Sequence, residues 1–122
     1  MKTALLLLTA LLCLAAADYA PAQDLEEAKI RHLIAAVETL AGAQFIRNGR
    51  AYDAETAANH LRLKLAVAGD RVKAAEDFIR YCASRSSRSG KPYKIRFSDG
   101  TAVTAEQFFR DRLQSFTPPD KP

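Results

Sequence analysis

The strongest chemical feature of this 122-residue chain is a segment rich in positive charge that contains no acid. From Ser84 to Arg96 the sequence carries five cations, which are Arg85, Arg88, Lys91, Lys94 and Arg96. Serine hydroxyls, loop amides and guanidinium groups all donate hydrogen bonds to anions. Residues 84–92, the basic loop, therefore predict a site for phosphate or carboxylate groups. The expected contacts are Arg85, Ser86, Ser87, Arg88, Ser89 and Lys91. The alternative is a solvated loop whose serines and cations only complete the end of a helix.

A second polar segment, Arg47-Asn48-Gly49, follows a short apolar run. Asn-Gly favours positive φ and a tight reversal of the chain. If the strand that ends at Arg47 pairs with the strand after the basic loop, Arg47 and Asn48 can join the same anion site. The alternative is a turn in which these residues serve geometry alone.

The histidines offer a weaker indication of chemistry. His60, with Ser86 or Ser87 and an aspartate, could form a hydrolase triad, and this is the alternative function. The chain has no nucleophile-elbow motif, so we favour a structural hydrogen-bonding role for His60 and assign no catalytic residue. His32 and His60 lack the spacing of a zinc site, and we expect no metal and no cofactor.

The first 22 residues carry the pattern of an export signal. Met1-Lys2 is a positive start, residues 4–17 are apolar except for one threonine, and Ala20-Pro21-Ala22 offers a signal-peptidase site. The apolar run is shorter than the roughly 20 residues that a membrane-spanning helix needs. We therefore predict cleavage after Ala22, with a cut after Ala17 as the alternative. The mature protein is expected in the periplasm or secreted, without a transmembrane segment.

Composition narrows the classes of function. The chain has 18 lysines and arginines against 14 acids, a net charge of +4, and 48% apolar residues. Such a chain builds one modest core rather than several domains. No predicted helix shows a dense cationic stripe with stacking aromatics, so nucleic acid is not expected as a partner. The expected partner is an anionic component of the cell envelope or an acidic protein.

Residues 23–122 predict a single small α+β domain that is mostly helical. Apolar side chains at three- and four-residue spacing indicate helices over 25–41, 54–68 and 74–84, and a last helix from about 105. Asp24, Asp53 and Thr104 are suited to cap the starts of three of these helices. Residues 117–122 form a proline-rich tail.

Two short runs, 45–47 and 93–97, are typical of strands, and they are expected to pair because a lone strand leaves its backbone groups unsatisfied. The predicted order is therefore α-β-α-α-β-α. In the third helix, the apolar pattern places Cys82 among buried residues. Arg71 is expected to pair with Glu76 at the start of that helix.

Four motifs follow one another along the chain. They are Phe45-Ile46-Arg47-Asn48-Gly49, Ala58-x-His60-Leu61-Arg62-x-Lys64-Leu65, Arg71-Val72-x-x-Ala75-Glu76-Asp77-Phe78-Ile79 and Ser84-x-Ser86-Ser87-x-Ser89-Gly90-x-Pro92-Tyr93-x-Ile95. Together they resemble the YfeK-like family of small exported bacterial proteins of unknown function. The resemblance covers about 45–97 and implies a periplasmic protein, but no activity. The chain departs from the family at Ala74, usually a threonine cap, and at Ala43 and Phe97, where some members carry cysteines.

The export pattern generates a direct test. We expect the mature protein to begin at Gln23 and to be soluble, because the apolar segment is too short to remain as a stable anchor. N-terminal sequencing of the exported form measures this. A protein that begins at Met1 and sediments with membranes would contradict the prediction.

Overall fold

Helices and pairs of short strands alternate along residues 20–119, the part of the chain that the computed structural model describes. The helices are α1 (Ala20–Glu38), α2 (Ala54–Ala68), α3 (Ala75–Phe78) and α4 (Ala105–Gln114). The strands are β1 (Gln44–Arg47), β2 (Arg50–Tyr52), β3 (Lys94–Arg96) and β4 (Ala102–Thr104). A 3₁₀ turn (Gly69–Arg71) follows α2, and a π-helical turn (Ile79–Ala83) continues α3. The predicted α+β class with four helices is confirmed. Residues 1–19 of the predicted export signal lie outside the described part of the chain.

The four strands form one antiparallel sheet in the order β2-β1-β3-β4. In its centre Phe45 pairs with Ile95 and Ile46 with Lys94, which confirms the expected pairing of the two predicted strands. The outer strands β2 and β4 were not predicted. Each is the second arm of a hairpin and has only three residues, too few to show an apolar alternation.

Chain reversal, rather than side-chain pattern, creates these outer strands. Asn48 and Gly49 both have positive φ, 50° and 78°, the conformation that two-residue hairpins require. Arg50 is thereby brought opposite Arg47. In the second hairpin Asp99 accepts hydrogen bonds from the backbone nitrogen and the hydroxyl of Thr101, at 2.9 and 2.6 Å.

Two of the three predicted helix caps are present. The Asp53 carboxylate accepts a hydrogen bond from the Thr56 nitrogen at 2.8 Å at the start of α2. Thr104 Oγ1 accepts one from the Gln107 nitrogen at 3.2 Å at the start of α4. The predicted start of the first helix at Asp24 is wrong, because α1 begins at Ala20 and runs through that position. No helix among residues 20–119 combines the length and the hydropathy needed to cross a membrane.

The start of α3 is capped from another helix. Ala74 precedes α3 and has no side-chain acceptor, but the Asp77 carboxylate accepts from the Ala74 nitrogen at 3.1 Å. Glu26 of α1 accepts from the Ala75 nitrogen at 3.0 Å. A hydrogen bond from Lys29 is the main cause that lowers the pKa of Glu26. The carboxylate is therefore charged, as a cap at the positive end of a helix should be.

A second acidic residue of α3 does not form the predicted ion pair. Glu76 pairs with Arg110 of α4 at 2.9 Å, and the pairing with Arg71 is wrong. The Arg71 guanidinium carbon instead lies 5.9 Å from the centre of the Tyr81 ring. The ion pair thus joins two elements that are distant in sequence, and the spacing along one helix gave no sign of it.

The core lies between the sheet and the helices. Phe78 is completely buried, and its ring meets Phe109 edge-on at 6.1 Å between centres. The predicted burial of Cys82 is confirmed, since its side chain is 1% exposed and its thiol is free. Burial raises the pKa of the Cys82 thiol, so the neutral form is favoured.

Truncation of Phe78 tests this core. We expect Phe78→Ala to cost about 3–5 kcal/mol, because it leaves a cavity where a buried ring packed. At about 4–8 °C per kcal/mol, the melting temperature should fall by more than about 10 °C. The matched control is Val67→Ala, since Val67 is 75% exposed and surface changes usually stay within about 0.5 kcal/mol. Equal shifts for the two variants would contradict the position of α3.

Candidate functional site

The basic loop has a defined backbone conformation. Arg85 and Pro92 form an antiparallel bridge at its base. The Ser86 nitrogen donates to the Lys91 carbonyl at 3.0 Å, and the Gly90 nitrogen donates to the Ser86 carbonyl at 2.9 Å. Gly90 has a φ of +73°, which glycine adopts without a steric penalty. The loop therefore presents its side chains from a closed turn.

Ser86 is the centre of this turn. Its side chain is 4% exposed, and its hydroxyl oxygen accepts hydrogen bonds from the backbone nitrogens of Arg88 and Ser89, at 3.2 and 3.3 Å. A third hydrogen bond comes from the Asn48 amide at 3.2 Å. These hydrogen bonds to a buried oxygen show that Ser86 fixes the shape of the loop. The expected contact of Ser86 with an anion stays a prediction, since accepting these hydrogen bonds leaves the hydroxyl hydrogen to be donated.

Asn48 joins the β1–β2 turn to the basic loop. Its side-chain amide donates to Ser86, and its oxygen accepts a hydrogen bond from the Ser89 hydroxyl. Lys64 of α2 provides a further link, donating to the Arg85 carbonyl at 3.1 Å. The pairing of β1 with β3 brings the two predicted polar segments together in this way, and Asn48 rather than Arg47 makes the contact.

Arg47 lies on the other face of the sheet from Lys94 and Arg96, the exposed cations of β3. It follows Phe45 by two residues, so strand alternation places both on the helix-facing side of β1. One guanidinium nitrogen of Arg47 is 2.9 Å from Nδ1 and 2.8 Å from Nε2 of His60. The guanidinium carbon is 5.5 Å from the centre of the Tyr52 ring. Arg47 therefore belongs to an interior cluster and not to the basic loop.

His60 is held in its neutral form. Burial is the largest cause that lowers the pKa of His60, and the positive charges of Arg47 and Lys64 lower it further. The ring meets Tyr93 edge-on at 6.2 Å between centres. Lys64 donates a hydrogen bond to the Tyr93 hydroxyl at 3.0 Å. These contacts fit the structural hydrogen-bonding role expected for His60.

The hydrolase arrangement does not form among residues 20–119. The hydrogen-bond partner of His60 there is Arg47, a cation, and no serine hydroxyl or carboxylate is bonded to the ring. A triad needs the imidazole between a nucleophile and an acceptor that orients it. No group of three or more His, Cys, Asp or Glu side chains suited to a metal occurs in the same part of the chain.

A pocket of about 220 Å³ opens beside the Arg47–His60 pair. Apolar side chains form most of its lining, together with a few polar groups. The apolar group includes Val37, Phe45, Ala57, Leu61, Ala83 and Phe109, and the polar group includes Arg47, Tyr52, Thr56, His60 and Lys94. Sequence analysis named both polar residues of this pair, Arg47 as an anion contact and His60 as a structural hydrogen-bonding residue. It missed the pocket because the lining comes from helices and strands whose packing no local pattern specifies.

The cations of the basic loop are not neutralised within the described part of the chain. The ion pairs there join Lys29 to Glu26, Arg62 to Glu38, and Arg110 to Glu76 and Glu106. Arg85, Arg88 and Lys91 are exposed and form none of these pairs. Lys94 and Arg96, on either side of buried Ile95 in β3, are likewise exposed.

Comparisons with known proteins show the family to which the chain belongs. The chain belongs to the DUF5329 family, a family of unknown function, which matches residues 24–117. It is also similar to the "Uncharacterized protein YfeK" of Salmonella typhimurium, with 46% identity over 68 residues, 56% of this chain and 57% of that protein. The match thus spans a little over half the length of that relative, and the resemblance to YfeK-like proteins is confirmed. No solved structure matches the chain.

The environment of His60 predicts a dependence of stability on pH. Because the folded protein lowers the pKa of His60 below its ordinary 6.5, protonation favours the unfolded chain. The contribution of His60 to the free energy of unfolding is therefore complete above pH 6.5 and is lost as the pH falls through the lowered pKa. Chemical unfolding between pH 7.5 and about 4.5 should show a smaller decline for His60→Gln than for the unsubstituted protein. Identical declines would contradict this assignment.

Proposed function

We propose that this protein is an exported, non-enzymatic binding module that recognises anionic groups through a cationic surface. That surface consists of the exposed cations of the basic loop and of the outer face of β3. The observation that carries the proposal is the group Arg85, Arg88 and Lys91, exposed on a turn of fixed shape and without an ion-pair partner among residues 20–119.

The closed turn lowers the cost of binding. A mobile loop must be ordered when it meets a ligand, and each immobilised side chain of high rotamer freedom costs about 0.5–1.5 kcal/mol. Here the Asn48–Ser86 hydrogen bond at 3.2 Å holds the backbone before any ligand arrives. The exposed side chains of Ser87 and Arg88 remain free to reach an anion. Asn48 therefore acts by positioning the loop.

Strand β3 extends the same charge beyond the loop. Lys94 and Arg96 share the outer face because they flank Ile95, which is buried. The Arg96 guanidinium donates a hydrogen bond to the neutral Gln44 amide oxygen at 3.4 Å, and it forms no ion pair among residues 20–119. A surface with several separated cations suits a ligand that carries several negative charges, such as a membrane of anionic lipid, better than a single small ion.

The N-terminal sequence pattern supports the exported location, where an envelope component would be encountered. The alternative, a small hydrolase that uses His60 and a loop serine, has less support. His60 contacts a cation, and the Ser86 hydroxyl oxygen already accepts loop amides. The binding module is therefore the function that the geometry favours.

Neutralising the loop tests the proposal. The triple variant Arg85→Gln, Arg88→Gln and Lys91→Gln should bind vesicles of anionic phospholipid at least tenfold more weakly, measured by co-sedimentation at low salt. Binding of the unsubstituted protein should fall as salt is raised, because the screening length is about 8 Å at physiological ionic strength. Stability should change by no more than about 0.5 kcal/mol, since the three side chains are exposed.

A matched triple variant separates a site from net charge alone. Arg31, Lys73 and Arg80 are also exposed, and replacing them with glutamine removes the same charge from other elements. This control should keep most of the affinity for vesicles. Equal losses of vesicle affinity in the two triple variants, or no loss in the loop variant, would contradict the proposal. Vesicles of neutral lipid should bind neither variant.

A further inference from the structure

We infer that the pocket beside the Arg47–His60 pair is a binding site for a small amphiphilic carboxylate. The apolar part of the ligand would fill the pocket, and its carboxylate would bind the guanidinium of Arg47. Lys94 of the cationic surface also lines this pocket, but the inference does not depend on the function of that surface. Its three supports are the volume and lining of the pocket, the charge of Arg47 and the nature of the groups around that charge.

The volume fixes the size of the apolar part. A dry cavity of about 150 Å³ lined by apolar side chains binds benzene. At about 220 Å³, this pocket admits a ring with a short substituent or a chain of roughly six to eight carbons. Phe45, Leu61 and Phe109 supply apolar walls, so burying such a group removes apolar surface from water on both sides of the contact.

Arg47 supplies the charge that an apolar pocket alone would lack. Its side chain is partly buried between β1 and α2, and it forms no ion pair among residues 20–119. A charge removed from water without a counter-ion is unfavourable. A carboxylate can accept two parallel hydrogen bonds from one guanidinium. A bound carboxylate would therefore satisfy a group that the protein leaves without an anionic partner.

The neighbours of Arg47 favour an anion and disfavour other ligands. His60 is neutral, and Tyr52 offers the face of its ring to the guanidinium at 5.5 Å. Neither side chain neutralises the charge. A cationic ligand would be repelled by Arg47. A neutral apolar ligand would shield the guanidinium further from water without replacing the hydrogen bonds to water that it loses. The planar fork of the guanidinium matches a carboxylate group, and Lys94, which also lines the pocket, adds further positive charge.

Binding of octanoate tests the site, with phenylacetate as the ring-containing counterpart. Titration calorimetry should show binding of at least one of the two, with 1-octanol and acetate binding at least tenfold more weakly. The imidazole resonance of His60 should move as the ligand is added, because His60 lines the pocket. Octanoate against phenylacetate distinguishes a chain from a ring. Failure of both acids to bind, or equal binding of 1-octanol, would overturn the inference.

Two variants and a matched control locate the ligand. Arg47→Gln should lower the affinity for the bound acid at least tenfold. Arg50→Gln should not, since Arg50 pairs with Arg47 in the sheet but is exposed and does not line the pocket. Ala57→Leu keeps Arg47 and reduces the volume, and it should also weaken binding at least tenfold. Thermal unfolding confirms that each variant is folded.

Acid binding by the loop variant distinguishes this site from the cationic surface. The triple variant of the basic loop should bind the acid as the unsubstituted protein does. Loss of acid binding in that variant, with Arg47→Gln unaffected, would place the acid on the loop and overturn the inference. If Arg47→Gln fails to fold, retained affinity in the folded Ala57→Leu variant would overturn it instead.

Discussion

The pairing of β1 with β3 is the contact on which the rest of the arrangement depends. It joins Gln44 to Arg96, residues that lie 52 positions apart in the sequence. Closing so long a loop has an entropic cost that only a shared core can offset, and the helices on one side of the sheet supply that core. Once the two strands are paired, each hairpin can add its second arm at little further cost. The Asn48 turn and the basic loop then lie side by side because they are attached to neighbouring strands.

Strand alternation then divides the positive charge between two environments. Side chains of successive strand residues point to opposite faces, so Arg47 lies with Phe45 towards the helices. Lys94 and Arg96 lie on the outer face, in water. Arginines and lysines that look alike in the sequence therefore differ in chemistry. The outer ones can bind anions only as a screened surface, whereas Arg47 is partly buried, and electrostatic interactions strengthen as contact with water is reduced.

Local sequence patterns were enough to predict the elements whose ends are fixed by neighbouring residues. Asp53 and Thr104 cap their helices because a side chain three residues from a free amide is within reach. The same reasoning failed at Asp24, where the helix begins earlier. It also could not find β2 and β4, which are strands only because a turn lays them against a partner. The caps and sites made by distant residues, such as Glu26 on α3 and the Arg47–His60 pocket, depend on packing that one sequence does not display.

Burial of the Cys82 thiol determines when this side chain can be oxidised. Thiolates, not thiols, attack disulfides and oxidants, and both burial and the raised pKa keep this sulfur neutral and inaccessible. In the folded protein it is therefore inert even where other thiols and disulfides abound. Unfolding reverses both protections at once, and an exposed cysteine can then be oxidised or joined to another chain. Where the core recloses faster than the exposed thiol reacts, the equilibrium population of the opened state sets the rate of this oxidation.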